Sequence, residues 1–141
     1  MASRSKALLT LALAAAAAAA SALAHDAQTN YTLHCQGCHT ADGSGLEGKV
    51  PSLRSTLVPF ARTREGRTFL VQVPGVAQST LTDAETAAVL NWMLRNLADD
   101  KQIAGISAFT EKEVAGYRAT RLVNSREVRA QLLAKISTNN P

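Results

Sequence analysis

The chain has 141 residues, 46% of them apolar, with 15 basic and 11 acidic side chains and a formal charge of +4; that length suits one domain rather than two. The basic residues form no clustered face of the kind that nucleic acid demands. Their densest group, Arg62, Arg64 and Arg67, is interrupted by Glu65 and reads as a solvated surface, with a docking patch for an acidic redox partner as the alternative.

In chain order, the first segment is a targeting signal. Arg4 and Lys6 precede Ala7 to Ala20, a run of Ala and Leu broken only by Thr10, and Ala22-Leu23-Ala24 supplies the small residues that a signal peptidase reads. The segment is expected to be removed after Ala24. Alanine is too weakly apolar to favour the rival reading, an uncleaved membrane anchor, so no membrane span is expected in the mature form. Arg4 and Lys6 leave with it, so 13 basic residues then face 11 acidic ones and the exported domain is nearly neutral.

The periodicity after that point predicts an all-α chain. Asp26 to Cys38 reads as a short helix, and Thr40 to Pro51, with Gly43, Gly45 and Gly48, as loop. Thr63 to Val73 reads as a helix stopped by Pro74-Gly75, with strand as the alternative because Val and Phe favour it. Thr82 and Glu85 form a capping box ahead of a helix to Leu97, with Leu81, Ala84, Ala88 and Trp92 at helical spacing. Thr110 and Glu113 make a second box before Val114, Tyr117 and Leu122. A last helix starts at Ser125 and carries Val128, Leu132, Leu133 and Ile136.

The chemistry lies in Cys35-Gln36-Gly37-Cys38-His39. A disulfide across so short a loop would constrain little of the unfolded chain. Two thiols three residues apart on a helical turn can instead reach the two vinyl groups on one edge of a porphyrin and form thioethers. The following His is then placed beneath the iron, the pattern of covalent haem c attachment. A thioredoxin-like pair would need a βαβ pattern, and a zinc site would need ligands beyond His25 and His34. Haem attachment takes place outside the cytoplasm, which agrees with the export signal.

From about Asn30 to Leu97 the chain resembles the bacterial class I cytochromes c. Besides Cys35 to His39, the resemblance rests on Asp42-Gly43-Ser44-Gly45, on Pro51-Ser52-Leu53, and on Leu81 to Glu85 leading to Trp92. It implies a helical domain around one haem. It also implies a Pro51 carbonyl that fixes the tautomer of His39, and a last core helix that crosses the first near Tyr31. The family's second iron ligand, a Met in the loop before that helix, has no counterpart in Val73 to Ser79, and counting back from Trp92 puts Val76 at its place. Met93 is the only Met left after export, but its spacing from Val89 and Leu97 makes it core filler before ligand. His34 is tied to the proximal side, His25 would be a chain terminus, and Lys49 is a remote option. The sixth position is therefore expected to be open or weakly held.

The organisation expected is residues 1–24 removed, a haem domain over 25–98, and a helical extension over 99–141 packed on it to enlarge a small core. The function expected is a periplasmic electron carrier between a dehydrogenase donor and an oxidase or other acceptor, needing no catalytic side chains. Two alternatives stand beside it. One is a haem protein with an open distal site, peroxidase-like or binding small ligands; the other is an electron-transfer subunit of a periplasmic dehydrogenase, suggested by the extension.

Overall fold

The computed structural model describes residues 25–99 and 103–138; the export segment and its cleavage point after Ala24 lie outside them. Among the described residues there are eight helices and no strand: α1 (Ala27–His34), α2 (Gln36–His39), α3 (Leu57–Ala61), α4 (Arg64–Gln72), α5 (Pro74–Ala77), α6 (Asp83–Asn96), α7 (Glu111–Arg118) and α8 (Ser125–Thr138). A single isolated bridge, Leu46 to Val50, pins the Gly-rich loop. None of these helices is long and apolar enough to cross a membrane.

Side-chain caps start four of the eight helices. The Asp26 carboxylate accepts from the Thr29 amide at 2.9 Å and caps α1. At α6 both halves of the capping box form, Glu85 N–H to Thr82 Oγ1 at 3.1 Å and Thr82 N–H to Glu85 Oε2 at 2.8 Å. Thr63 caps α4, which is helix and not strand. The helix expected from Asp26 to Cys38 is two pieces, because the Cys35 backbone (φ −123°, ψ −41°) interrupts it and turns the attachment segment onto its own short helix.

Two helices escape the periodicity. In α3, Leu57, Val58, Phe60 and Ala61 are all buried, so five residues carry no polar face that would reveal a period. The Val73 to Ser79 loop contains α5, one turn with Pro74 at its first position; Val73 is extended (ψ 140°), so Pro74 ends α4 and starts α5. Gly66 is required where α3 turns into α4: a Cβ there would lie 2.2 Å from the Phe60 carbonyl oxygen.

The core gathers Tyr31, Leu57, Val58, Phe60, Val71, Leu90 and Val114, each at most 2% exposed. α1 crosses α6, with the Tyr31 and Trp92 rings 5.2 Å apart, as the family resemblance implies. The Tyr31 hydroxyl donates to the Thr40 carbonyl at 2.7 Å and so holds the end of α2 to α1. Phe60 and Phe69 meet edge to face at 5.4 Å.

The C-terminal segment is bound to this core at two arginines. Arg67 of α4 is not on a solvated surface as its Arg-rich group suggested but is buried, half-encircled by α7 and the chain leading into it, because Glu113 supplies its counter-charge. Its Nε and Nη2 reach the two carboxylate oxygens of Glu113 at 2.6 Å each, Nη1 donates to the Ser107 carbonyl at 2.9 Å, and the guanidinium lies 3.8 Å from the Phe109 ring centre. This pairing consumes the carboxylate that the second capping box would use. Thr110 Oγ1 still accepts from the Glu113 amide at 3.2 Å, but only that half of the box forms. Arg118 at the end of α7 donates to the carbonyls of Leu81 (2.9 Å) and Val76 (3.3 Å), to Asp83 Oδ1 (2.9 Å) and to Thr86 Oγ1 (2.7 Å). α8 lies on α4, with Leu132 buried and Val128, Leu133 and Ile136 against the core.

Candidate haem site

A cavity of about 960 Å³ opens beside the attachment helix. Its walls include Cys35, Cys38 and His39 from the attachment segment, Pro51 and Leu53 from the loop, and Leu57, Phe60, Phe69, Leu70 and Val73 from α3 and the end of α4. α2 packs chiefly on α1, whereas α4, α5 and α8 border the space as well, which therefore lies between α2 and these helices. The volume is within the ~300–1,000 Å³ of pockets that take large organic ligands, and the lining is mostly apolar with a few convergent polar groups.

Both thiols are free, Cys35 half-buried and Cys38 exposed. Burial pushes the Cys35 thiol up to about 11, so it stays protonated at neutral pH. His39 is fixed from behind: its Nδ1 lies 3.1 Å from the Pro51 carbonyl oxygen. A carbonyl only accepts, so Nδ1 carries the proton and Nε2 presents its lone pair. Burial lowers the His39 pKa against the opposing pull of the Pro51 bond, which keeps the imidazole neutral as metal ligation requires. The loop that delivers Pro51 is itself tight. Gly45 sits at φ +73°, and a Cβ there would lie 2.4 Å from the Val50 carbonyl oxygen.

The structure brings some of the remaining candidates to the cavity and leaves others out. Val76, at the place of the family Met, lines it and offers only methyl groups; its carbonyl is taken by Arg118 and by the Ser79 hydroxyl (2.8 Å). Met93 is 4% exposed in the core cluster and also borders the cavity. His34 and Lys49 are exposed at its rim, and His25 is not on its wall. Among the described residues no group of three His, Cys, Asp or Glu side chains could hold a metal ion without help.

No family model matches the chain. It is, however, 31% identical over 119 residues to a cytochrome c-552 of Thermus thermophilus, covering 72% of this chain and 80% of that protein. A second cytochrome c-552 of the same species is 32% identical over 106 residues, covering 62% and 81%.

This chain belongs to the class I c-type cytochromes.

As a cytochrome c it carries covalent haem c and serves electron transport. The residues present fit that group: an apolar slot for the macrocycle, two free thiols at one edge, and an imidazole whose unprotonated nitrogen is available. The match spans more of the cytochrome than the Asn30 to Leu97 segment that carries the motifs. What the motifs did not reveal is the part played by α8. Its Ser125, Arg126, Arg129, Ala130 and Leu133 border the same cavity as Cys35, Cys38 and His39, so this helix lines that space as well as packing on α4. The spacing of the last four on one helix face was readable; the surface that this face would meet was not.

Proposed function

We propose that Cys35 and Cys38 hold the haem by two thioethers and that His39 binds its iron through Nε2. In this reading the protein carries single electrons in the periplasm, from a dehydrogenase donor to an oxidase or other acceptor. The bound group supplies an iron that alternates between ferrous and ferric states. The chain's own contribution is to hold and shield. The Pro51 carbonyl fixes the His39 ring and raises its basicity as a ligand. Leu57, Phe60, Phe69 and Leu70 keep water from the cavity and so limit reorganisation around the metal. Cys38 is exposed, and the edge of the group attached there is where an electron would enter and leave. No catalytic side chain is needed.

The observation that carries this reading is the His39 to Pro51 contact, which aims one imidazole nitrogen away from the loop beside two free thiols. Export of the full chain tests it. The mature protein should gain the mass of one haem, lose residues 1–24 and show a Soret band. Cys35→Ala with Cys38→Ala should abolish the covalent mass gain, and His39→Ala should remove the proximal ligand signature from the spectrum. Mature protein with free thiols and no Soret absorption would end the proposal.

A second reading draws on Val76, whose methyl groups stand at the place of the family Met. It gives the iron an open or weakly held sixth position that admits a small ligand. A high-spin oxidised spectrum that responds to cyanide supports this; a low-spin spectrum indifferent to cyanide returns the protein to plain electron carriage.

A further inference from the structure

The wall that α8 presents to the cavity is basic as well as apolar. Arg126, Arg129, Ala130 and Leu133 recur at i, i+3, i+4 and i+7, so one helix face turns all four toward that space. Arg129 is half-buried and Arg126 is exposed. Among the described residues neither guanidinium makes a hydrogen bond or ion pair; the carboxylate that follows Arg126, Glu127, is met by Gln131 at 3.5 Å. Arg126 also stands in the first turn of α8, where a cation opposes the helix dipole, so helix stability does not explain it.

A guanidinium stays charged at any physiological pH; the half-buried Arg129 carries a desolvation cost that an anion would offset, while the exposed Arg126 stands beside it on the same face, three residues earlier. The other charges on the wall, Glu47 and Lys49, offset each other, which leaves the cavity with two unmatched cations. The haem that this family carries brings two propionate carboxylates, and arginine pairs with carboxylates through parallel N–H bonds.

We propose that Arg126 and Arg129 form a carboxylate-binding pair for the two haem propionates, so that α8 clasps the cofactor from the side remote from its thioether links. This rests on the haem reading of the same cavity. That reading fails if the wild-type protein matures without covalent haem, whereas the arginine pair is tested only in protein that has it.

The test compares wild-type holoprotein with Arg126→Gln/Arg129→Gln and with Arg126→Lys/Arg129→Lys, by resonance Raman of the propionate bending band and by the midpoint potential. With both guanidinium groups neutralised, the band should shift and the potential should fall, because the cations that disfavour the ferric charge are gone. The Lys pair should recover most of the potential but not the band, since it restores charge without the planar fork. Arg129→Gln alone should give a smaller shift of the same sign, and it is read in place of the double variant if that one does not mature. A band and potential unchanged in the Gln variants would overturn the assignment. So would an unchanged band with weaker azide binding, which would mark a site for an external anion instead.

Discussion

His39 shows how far a single side chain depends on its neighbours. Its Nδ1 bond to the Pro51 carbonyl needs Pro51 to be delivered at the right height, and that depends on Gly45, whose φ of +73° and 2.4 Å approach to Val50 leave no room for a Cβ. Gly45→Ala should therefore cost about 1–3 kcal/mol and loosen the His39 ring, seen as a lower melting temperature of the holoprotein with a broadened spectrum. Met93 is the opposite case. It is 4% exposed, packed in the core, and interchangeable in volume with leucine. Met93→Leu should cost less than about 1.5 kcal/mol and leave the visible and near-infrared spectra unchanged. Loss of a Met-to-iron charge-transfer band in that variant would instead make Met93 the sixth ligand.

Among the elements, α6 is the most self-sufficient and α8 the least. The capping box of Thr82 and Glu85 satisfies amide groups within four residues of chain, without help from the rest of the molecule. The same bonds hold Glu85 below its ordinary carboxylate pKa, with the Thr82 amide as the largest cause. Thr82→Ala should remove about 0.5–2 kcal/mol, measured by denaturant unfolding, with no change in the haem spectrum because α6 keeps its buried face. α8 has Leu132 as its one fully buried residue and depends on α4 and the cavity for its place.

For the whole molecule, α4 and α7 are joined across 46 residues by the Arg67 to Glu113 pair, whose side chains are 11% and 21% exposed. Removing one partner strands a shielded charge, so Arg67→Ala should cost about 3–5 kcal/mol and expose α7 to protease or hydrogen exchange. The Arg67 hydrogen bonds hold Glu113 below its usual pKa against the opposing effect of burial, and Asp42 is held down to about 2, chiefly by the Thr40 hydroxyl. A carboxyl with a depressed folded pKa stabilises fully above its unfolded value and loses that contribution as the pH falls through the folded one. The holoprotein should therefore lose stability progressively below about pH 4.5, the unfolded value for Glu113, and Arg67→Ala should flatten that dependence in a pH series of melting temperatures.

The sequence by itself determined whatever depends on near neighbours in the chain. Cys35, Cys38 and His39 lie within five residues, which is what made the haem-attachment reading possible, and the Thr82 box and the all-α class followed from short patterns, whereas the Tyr31 to Trp92 crossing was implied by the family resemblance. Tertiary structure alone decided the rest. Arg67 meets Glu113 across 46 residues, which diverts a carboxylate from the cap that its spacing promised. It also put the Arg126 and Arg129 face of α8 on the cavity that Cys35, Cys38 and His39 line. Periodicity says which side of a helix is apolar, but the partner of that side is chosen by packing between elements distant in sequence, and no local pattern encodes that choice.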